Sequence, residues 1–421
     1  MSTPSLWRHP DFLKLWTGQT ISQLGSVVTR TALPLVALLA LGAGPLEMAG
    51  VVVARSSGVL LVGLVAGVWV DRLRRRPLLI WTDVIRAALL ATIPVSYVLG
   101  LLRMEMLYLV AFLVACLGTL FDSAYRSYLP GLVGVGRVFE GNSKVATSEA
   151  IAEVGGPGFA GALVQVVSAP FAILVDAVSF VVSALSLAAI GAPEPPRPPA
   201  SSRLTVVREV SEGIAVVRRH ALLFPMAASS VTNHFFGSFY AAMYSLFVLN
   251  ELRLSPFVLG VVISAGGFGS LIGSLFAARV SRRFGVGPAF VGCAAAGTLI
   301  GILTPLATGP AVIATLMLFI PQLIGDGLQT IEWISHDAVV QTVTPDRVLG
   351  RVNATLDVLS HGVAPFGALA AAVIAEAFGV RAAIAVGWLG MVAAVGWLAL
   401  SPLPRMRTVA PASAATAAGG V

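Results

Sequence analysis

The residues able to do chemistry sit where charge is costly. Arg30, Arg55, Asp83, Arg86, Asp122, Arg126, Glu149, Glu153 and Asp176 interrupt apolar sequence in the first half of the chain. Asn233, His234, Gln322, Asp326, Gln329, Glu332, Asp357 and His361 do so in the second. An ionisable group among apolar neighbours must be paired, protonated or wetted, so each marks a binding group, a proton carrier or a structural ion pair. Arg30 cannot shed its charge. Arg30 or Arg55 either attracts an anionic group of a ligand or pairs with Asp176. At a rise of about 1.5 Å per residue, all three can share one depth. Asp326 and Gln329 are three apart and share a helix face. Asp326 is the leading proton-carrier candidate, with Asp176, Glu153 and Asp83 behind it, because burial favours the neutral form of a carboxylic acid. Asn233, His234 and Gln329, with Gln19 and Gln23 one turn apart, are candidate donors to a ligand along a path through the protein. His234 and His361 are of a type that titrates near neutrality. For every one of these residues, plain helix packing is the competing role.

The elements that must position these groups are membrane helices. The chain of 421 residues is 57% hydrophobic and 11% charged, with a mean hydropathy of +0.89. A soluble domain carries about 25% charged residues, so lipid must be the solvent for most of this one. Apolar runs fall at 12–41, 46–70, 77–102, 105–129, 144–167 and 169–191, then at 221–249, 255–279, 287–308, 310–335, 352–377 and 380–402. Each suits one helix of about 20 residues across hydrocarbon. They are continuous, unlike the alternating segments of about ten residues in barrel strands.

The net charge is +7, yet its distribution is a topology signal, not a nucleic-acid footprint. Arg8, Lys14, Arg72, Arg74, Arg75, Arg76, Arg137, Lys144 and most later cations fall in loops on one side, against Arg103, Arg253 and Arg381 on the other. That excess predicts cytoplasmic N- and C-termini in the inner (cytoplasmic) membrane of the cell. Cys116 and Cys293 both lie in apolar runs, which excludes a disulfide framework or thiolate metal site. There is no His-x-x-x-His pair, no Gly-x-Ser-x-Gly turn and no Gly-x-x-x-x-Gly-Lys loop, so neither an enzyme nor an ATP-driven pump is expected, and no cofactor.

The halves repeat at an offset of about 210 residues. Leu61, Gly63, Val70 and Arg72 match Leu271, Gly273, Val280 and Arg282, while Asp122 falls opposite Glu332. The expected organisation is a six-helix bundle over 1–191, a cytoplasmic linker over 192–220, a second six-helix bundle over 221–404 and a disordered tail over 405–421. Pro193, Pro195, Pro196, Pro198 and Pro199 predict a stiff extended linker. Its basic end reads as a helix lying on the inner membrane face.

Gly67, Asp71 and Arg72, followed by Arg74, Arg75 and Arg76, lie between the second and third runs. This stretch resembles the signature loop of the major facilitator superfamily, with Arg74 where that family usually has glycine. The copy around Arg279, Arg282 and Arg283 keeps the bases and loses the acid. The fold class that the resemblance implies is all-α: twelve transmembrane helices in two pseudo-symmetric bundles. A cytoplasmic gate of Gly67, Asp71, Arg72, Arg75, Asp122 and Arg126 is expected with it. Gly156, Pro157 and Gly161 resemble the Gly-Pro signature of the superfamily's antiporters. Segments 16–25, 83–87 and 347–354 resemble the branch of enterobactin-type siderophore exporters and macrolide efflux pumps. The resemblance implies a monomeric secondary transporter that exports small amphipathic molecules by alternating access and proton antiport. Its partners are then the lipid bilayer, a small-molecule substrate and protons. An uptake permease on the same fold is the alternative.

Overall fold

The computed structural model describes residues 5–193 and 206–407, except the side chains at 64, 65, 67, 68, 71, 72, 135 and 206–211. The described chain is helical throughout. Eleven helices are long and apolar enough to cross a membrane. The first unit carries Pro10–Ala40, Pro45–Arg72, Arg75–Val98, Met104–Val133, Val138–Val167 and Ala169–Ala188. Then come Leu223–Leu246, Pro256–Phe284, Val286–Leu303, Ala311–Val343, Asp346–Phe378 and Val380–Ala399, all in the second unit except the start of Pro256–Phe284, which belongs to the first as far as Ser264. Leu223–Leu246, the seventh span, is the helix absent from the eleven; Ser229, Ser230, Thr232, Asn233 and His234 dilute its apolar character. Several spans outrun the apolar windows. The tenth continues to Val343 and the eleventh begins at Asp346, because a helix can run on past hydrocarbon where water satisfies its polar side chains.

The protein divides into two compact units, Met1–Arg203 with Ser255–Ser264, and Leu204–Leu254 with Ala265–Val421. The internal repeat is visible in the backbone. The first and seventh helices both end in a widened turn, Val36–Ala40 and Phe247–Glu251. Each is followed by a left-handed residue, Gly42 (φ 68°) and Arg253 (φ 53°). Ser168 (φ 74°) and Gly379 (φ 90°) then stop the fifth and eleventh spans. Arg253 and Ser168 hold a conformation that glycine adopts at no steric cost.

Among lipid tails, packing and hydrogen bonds hold helices together more than water exclusion does. Glycine makes that packing close. A Cβ on Gly269 of the eighth span would stand 3.1 Å from the Leu323 Cα of the tenth, and one on Gly273 would stand 3.0 Å from Gly327 Cα. Loop arginines cap helix ends. Arg75 donates to the Ser127 carbonyl (3.1 Å), Arg76 to that of Leu187 (2.9 Å) and Arg137 to that of Val133 (3.0 Å).

The helix Val206–Arg219 is anchored on the second unit at its C-terminal end, with Val217 buried in a cluster with Leu223, Met226, Val352 and Leu356, while Ile214 is exposed. Arg351 binds Glu212 at 2.5 Å, and Gly213 abuts the Arg351 backbone. The proline-rich segment and the tail from 408 lie outside the described residues.

Candidate functional site

The second unit encloses a cavity of about 750 Å³ and, adjoining it, a second of about 340 Å³. Ser229, Asn233, Asp326, Gln329 and Glu332 line both, so they stand where the two lobes meet. Helix periodicity explains the wall. Asp326, Gln329, Thr330, Trp333, His336 and Asp337 recur at three- and four-residue steps along the tenth span and present one face. A widened turn at Pro321–Gly325 precedes Asp326, where Pro321 cannot donate a backbone hydrogen bond. Across the gap, Gly266 of the eighth span has no side chain; a Cβ there would overlap the Asp326 carboxylate.

His234 and His361 face each other across the larger lobe with ring centroids 5.0 Å apart. Each Nδ1–H donates to the carbonyl one turn earlier, Ser230 at 2.9 Å and Asp357 at 3.0 Å. That fixes the tautomer of the neutral rings and leaves each Nε2 as an acceptor. Ser230 and Ser360 hydroxyls bond at 2.8 Å between the same two helices. Of the residues singled out in the sequence, Asn233, His234, Asp326 and Gln329 are thus brought to one cavity. His336, Tyr240 and Tyr244, which were not singled out, line it too. A tyrosine in an apolar run gives no charge signal, and His336 belongs to the helical extension beyond the hydropathy window.

The first unit holds two polar groupings. One is buried. Asp83 and Arg86 form an ion pair whose side chains are 0% and 8% exposed. The Arg86 guanidinium lies between the rings of Phe121 and Phe180, at 4.6 and 4.1 Å from their centroids. Gln19 donates to Ser183 Oγ at 3.2 Å beside it. Gln19 is therefore turned into helix packing, which corrects its expected place on a ligand path. Gln23 is half-buried on the same helix. The other grouping is exposed. Arg30 pairs with Glu153 at 2.5 Å, and Arg55 lies within electrostatic range of both. Glu149, one turn from Glu153, neighbours Asp122 and Arg126.

The expected pairing of Arg30 or Arg55 with Asp176 does not form. Asp176 is buried and accepts from Ser179 Oγ at 3.0 Å, with Gly25 packed against it. Of the expected gate, the side chains of Gly67, Asp71 and Arg72 lie outside the described residues. Asp122 and Arg126 are electrostatic neighbours without an ion pair between them. The Gly-Pro segment is a packing surface. A Cβ on Gly156 would stand 2.9 Å from Val27 Cβ, and one on Gly161 would stand 3.1 Å from Phe257 Cα. Gly158 N–H donates to Ser264 Oγ at 2.9 Å, and Gly260 abuts the Pro157 carbonyl.

Comparison with known proteins places this arrangement. The family described as "Transmembrane secretion effector" matches residues 1–418. The multidrug efflux pump Tap of Mycolicibacterium fortuitum is 28% identical over 96% of this chain and 98% of its own. The uncharacterised MFS-type transporter YvqJ of Bacillus subtilis is 24% identical over 77% of each chain. Among solved structures, a bacterial homologue of the iron transporter ferroportin, inward-facing, superimposes with a TM-score of 0.69 at 18% identity, covering 94% of this chain and 100% of that one. The nucleoside transporter NupG does so with 0.72 at 12% identity, covering 92% and 99%. At such identities the structures share the fold alone. The chain belongs to the transmembrane secretion effector family and is a multi-pass transporter of the major facilitator superfamily, not an enzyme.

Proposed function

We propose that this protein exports small amphipathic molecules by alternating access, driven by proton antiport. The observation that carries the proposal is the second-unit cavity, where Asp326 stands beside Asn233, His234 and Gln329 with no Lys or Arg among the described lining residues. A carboxylate so placed is stable with a proton and becomes costly without one, which is the property a proton-driven cycle needs. Kinship with a multidrug efflux pump over nearly the whole chain supports the outward direction. The two units act as the rocking bodies. Both termini and the linker face the cytoplasm of a bacterial cell, and the protein works as a monomer. Gly67, Asp71, Arg72, Arg75, Asp122 and Arg126 close the inner side, and the Gly156, Pro157 and Gly161 segment supplies a close-packed joint. Glu153, Asp83 and Asp176 are secondary proton candidates.

Direction is tested by accumulation of a fluorescent amphiphile in deletion cells against overexpressing cells. Export predicts higher accumulation on deletion and lower on overexpression. The reverse order would establish uptake.

A further inference from the structure

The charge of the second-unit cavity narrows its ligand. Four carboxylates line the larger lobe, Asp326, Glu332, Asp337 and Asp357, and among the described residues no Lys or Arg lines either lobe. Asp337 is in hydrogen-bond contact with His336 at 3.2 Å. The carboxylates of Asp326 and Glu332 have neither a hydrogen-bonding nor an ionic partner among the described residues. They stand where the lobes meet. A second observation is independent of the acids. The Tyr240 hydroxyl is buried without a hydrogen-bond partner among the described residues, and Tyr240 lines the smaller lobe with Trp388 and with Tyr244, whose buried hydroxyl lies at Gln322. Trp333 borders the larger lobe. A buried hydroxyl without a partner is costly, so a protein keeps one where something else completes it.

Two carboxylates without a counter-ion in a low-dielectric space require protons or a cation. Aromatic faces attract a diffuse cation and reward an apolar body, and the lobe volumes suit a drug-sized molecule. We infer that the cavity binds a lipophilic organic cation, an ammonium or phosphonium, with its charge at Asp326 and Glu332 and its apolar body against Tyr240, Tyr244 and Trp388. Three histidines, His234, His336 and His361, face the same space. They are compatible with a cation while neutral. The inference rests on the export reading and deepens it.

The test is binding of radiolabelled tetraphenylphosphonium to the purified full-length protein in detergent at neutral pH. Radiolabelled tetraphenylborate, an organic anion of similar size and shape, is titrated in a separate experiment. The expected result is saturable binding of the phosphonium and none of the borate. D326N and E332Q should each weaken it at least tenfold, while D326E and E332D should keep it. Equal binding of the two ions, or wild-type binding by both neutralised variants, would overturn the inference. Where a neutralised variant does not purify as a monodisperse species, the comparison of the two ions on the wild type decides. Export of a neutral amphiphile by cells, with no tetraphenylphosphonium bound, would sink the substrate class and leave the export reading standing. Specific binding without outward movement in proteoliposomes would keep the site and sink the export reading.

Discussion

Arg30 on the first span is paired with Glu153 on the fifth at 2.5 Å, and not with Asp176 on the sixth. Their side chains are 42% and 50% exposed. An ion pair that accessible is worth about 0.2–1 kcal/mol, so E153Q should lower the melting temperature of the purified protein only slightly. Removing the acid leaves Arg30 and Arg55 as adjacent cations. E153Q should therefore raise the apparent affinity for anionic dyes in binding titrations. A large loss of stability with no change in anion affinity would assign the pair a structural role only.

Asp83 and Arg86 behave oppositely because both are buried. Breaking such a pair by removing one partner costs about 3–5 kcal/mol. Asp83→Asn should leave the Arg86 charge between two phenyl rings without its ion-pair partner, Asp122 and Asp176 interacting with it only electrostatically. Thermal unfolding in detergent should show a severe loss, far beyond that of E153Q. Similar melting temperatures for the two variants would contradict the buried placement.

The contrast between these pairs shows what the sequence can and cannot reveal. Polar residues in apolar runs are conspicuous, and the twelve spans, the repeat and the choice of Asn233, His234, Asp326 and Gln329 as candidates follow from that; their sharing one cavity does not. Which charges meet depends on the rotation of each helix about its axis. Nothing in an apolar run sets that rotation as seen from one sequence. Arg30 thus found Glu153 instead of Asp176, and Gln19 turned toward Ser183. The linker helix shows the same limit. Its amphipathic pattern identifies an apolar face but not which part of it meets protein; Gly213, small enough to admit the Arg351 backbone, was the clue. Tyr240, Tyr244 and His336 carry no formal charge and passed as packing.

Gly213 gives the third prediction. A Cβ there would stand 3.2 Å from the Arg351 carbonyl carbon and overlap the Thr355 hydroxyl. Gly213→Val should lift the helix Val206–Arg219 from the second unit. Hydrogen exchange should then accelerate across 212–219 while the membrane spans stay protected. Unchanged exchange in that helix would mean the docking is looser than the geometry implies.

Gly269 supplies the fourth. Its missing side chain lets the eighth span touch the Leu323 backbone of the tenth. Overpacking of this kind costs about 1–3 kcal/mol. Gly269→Ala should destabilise the protein by that order in thermal unfolding. Gly63 has open space around it, and Gly63→Ala should not. Equal effects of the two substitutions would deny the close contact.

In the proposed cycle, outward movement of substrate is exchanged for protons through Asp326. The most direct measurement of this exchange is proton flux in proteoliposomes carrying an internal pH dye and a preset pH gradient. Adding a transported amphiphile should collapse the gradient with the wild-type protein. D326N, matched for reconstitution, should collapse it at least tenfold more slowly, and D326E should recover a substantial part. Full-rate gradient collapse by D326N, or substrate movement without any proton flux in the wild type, would contradict the account.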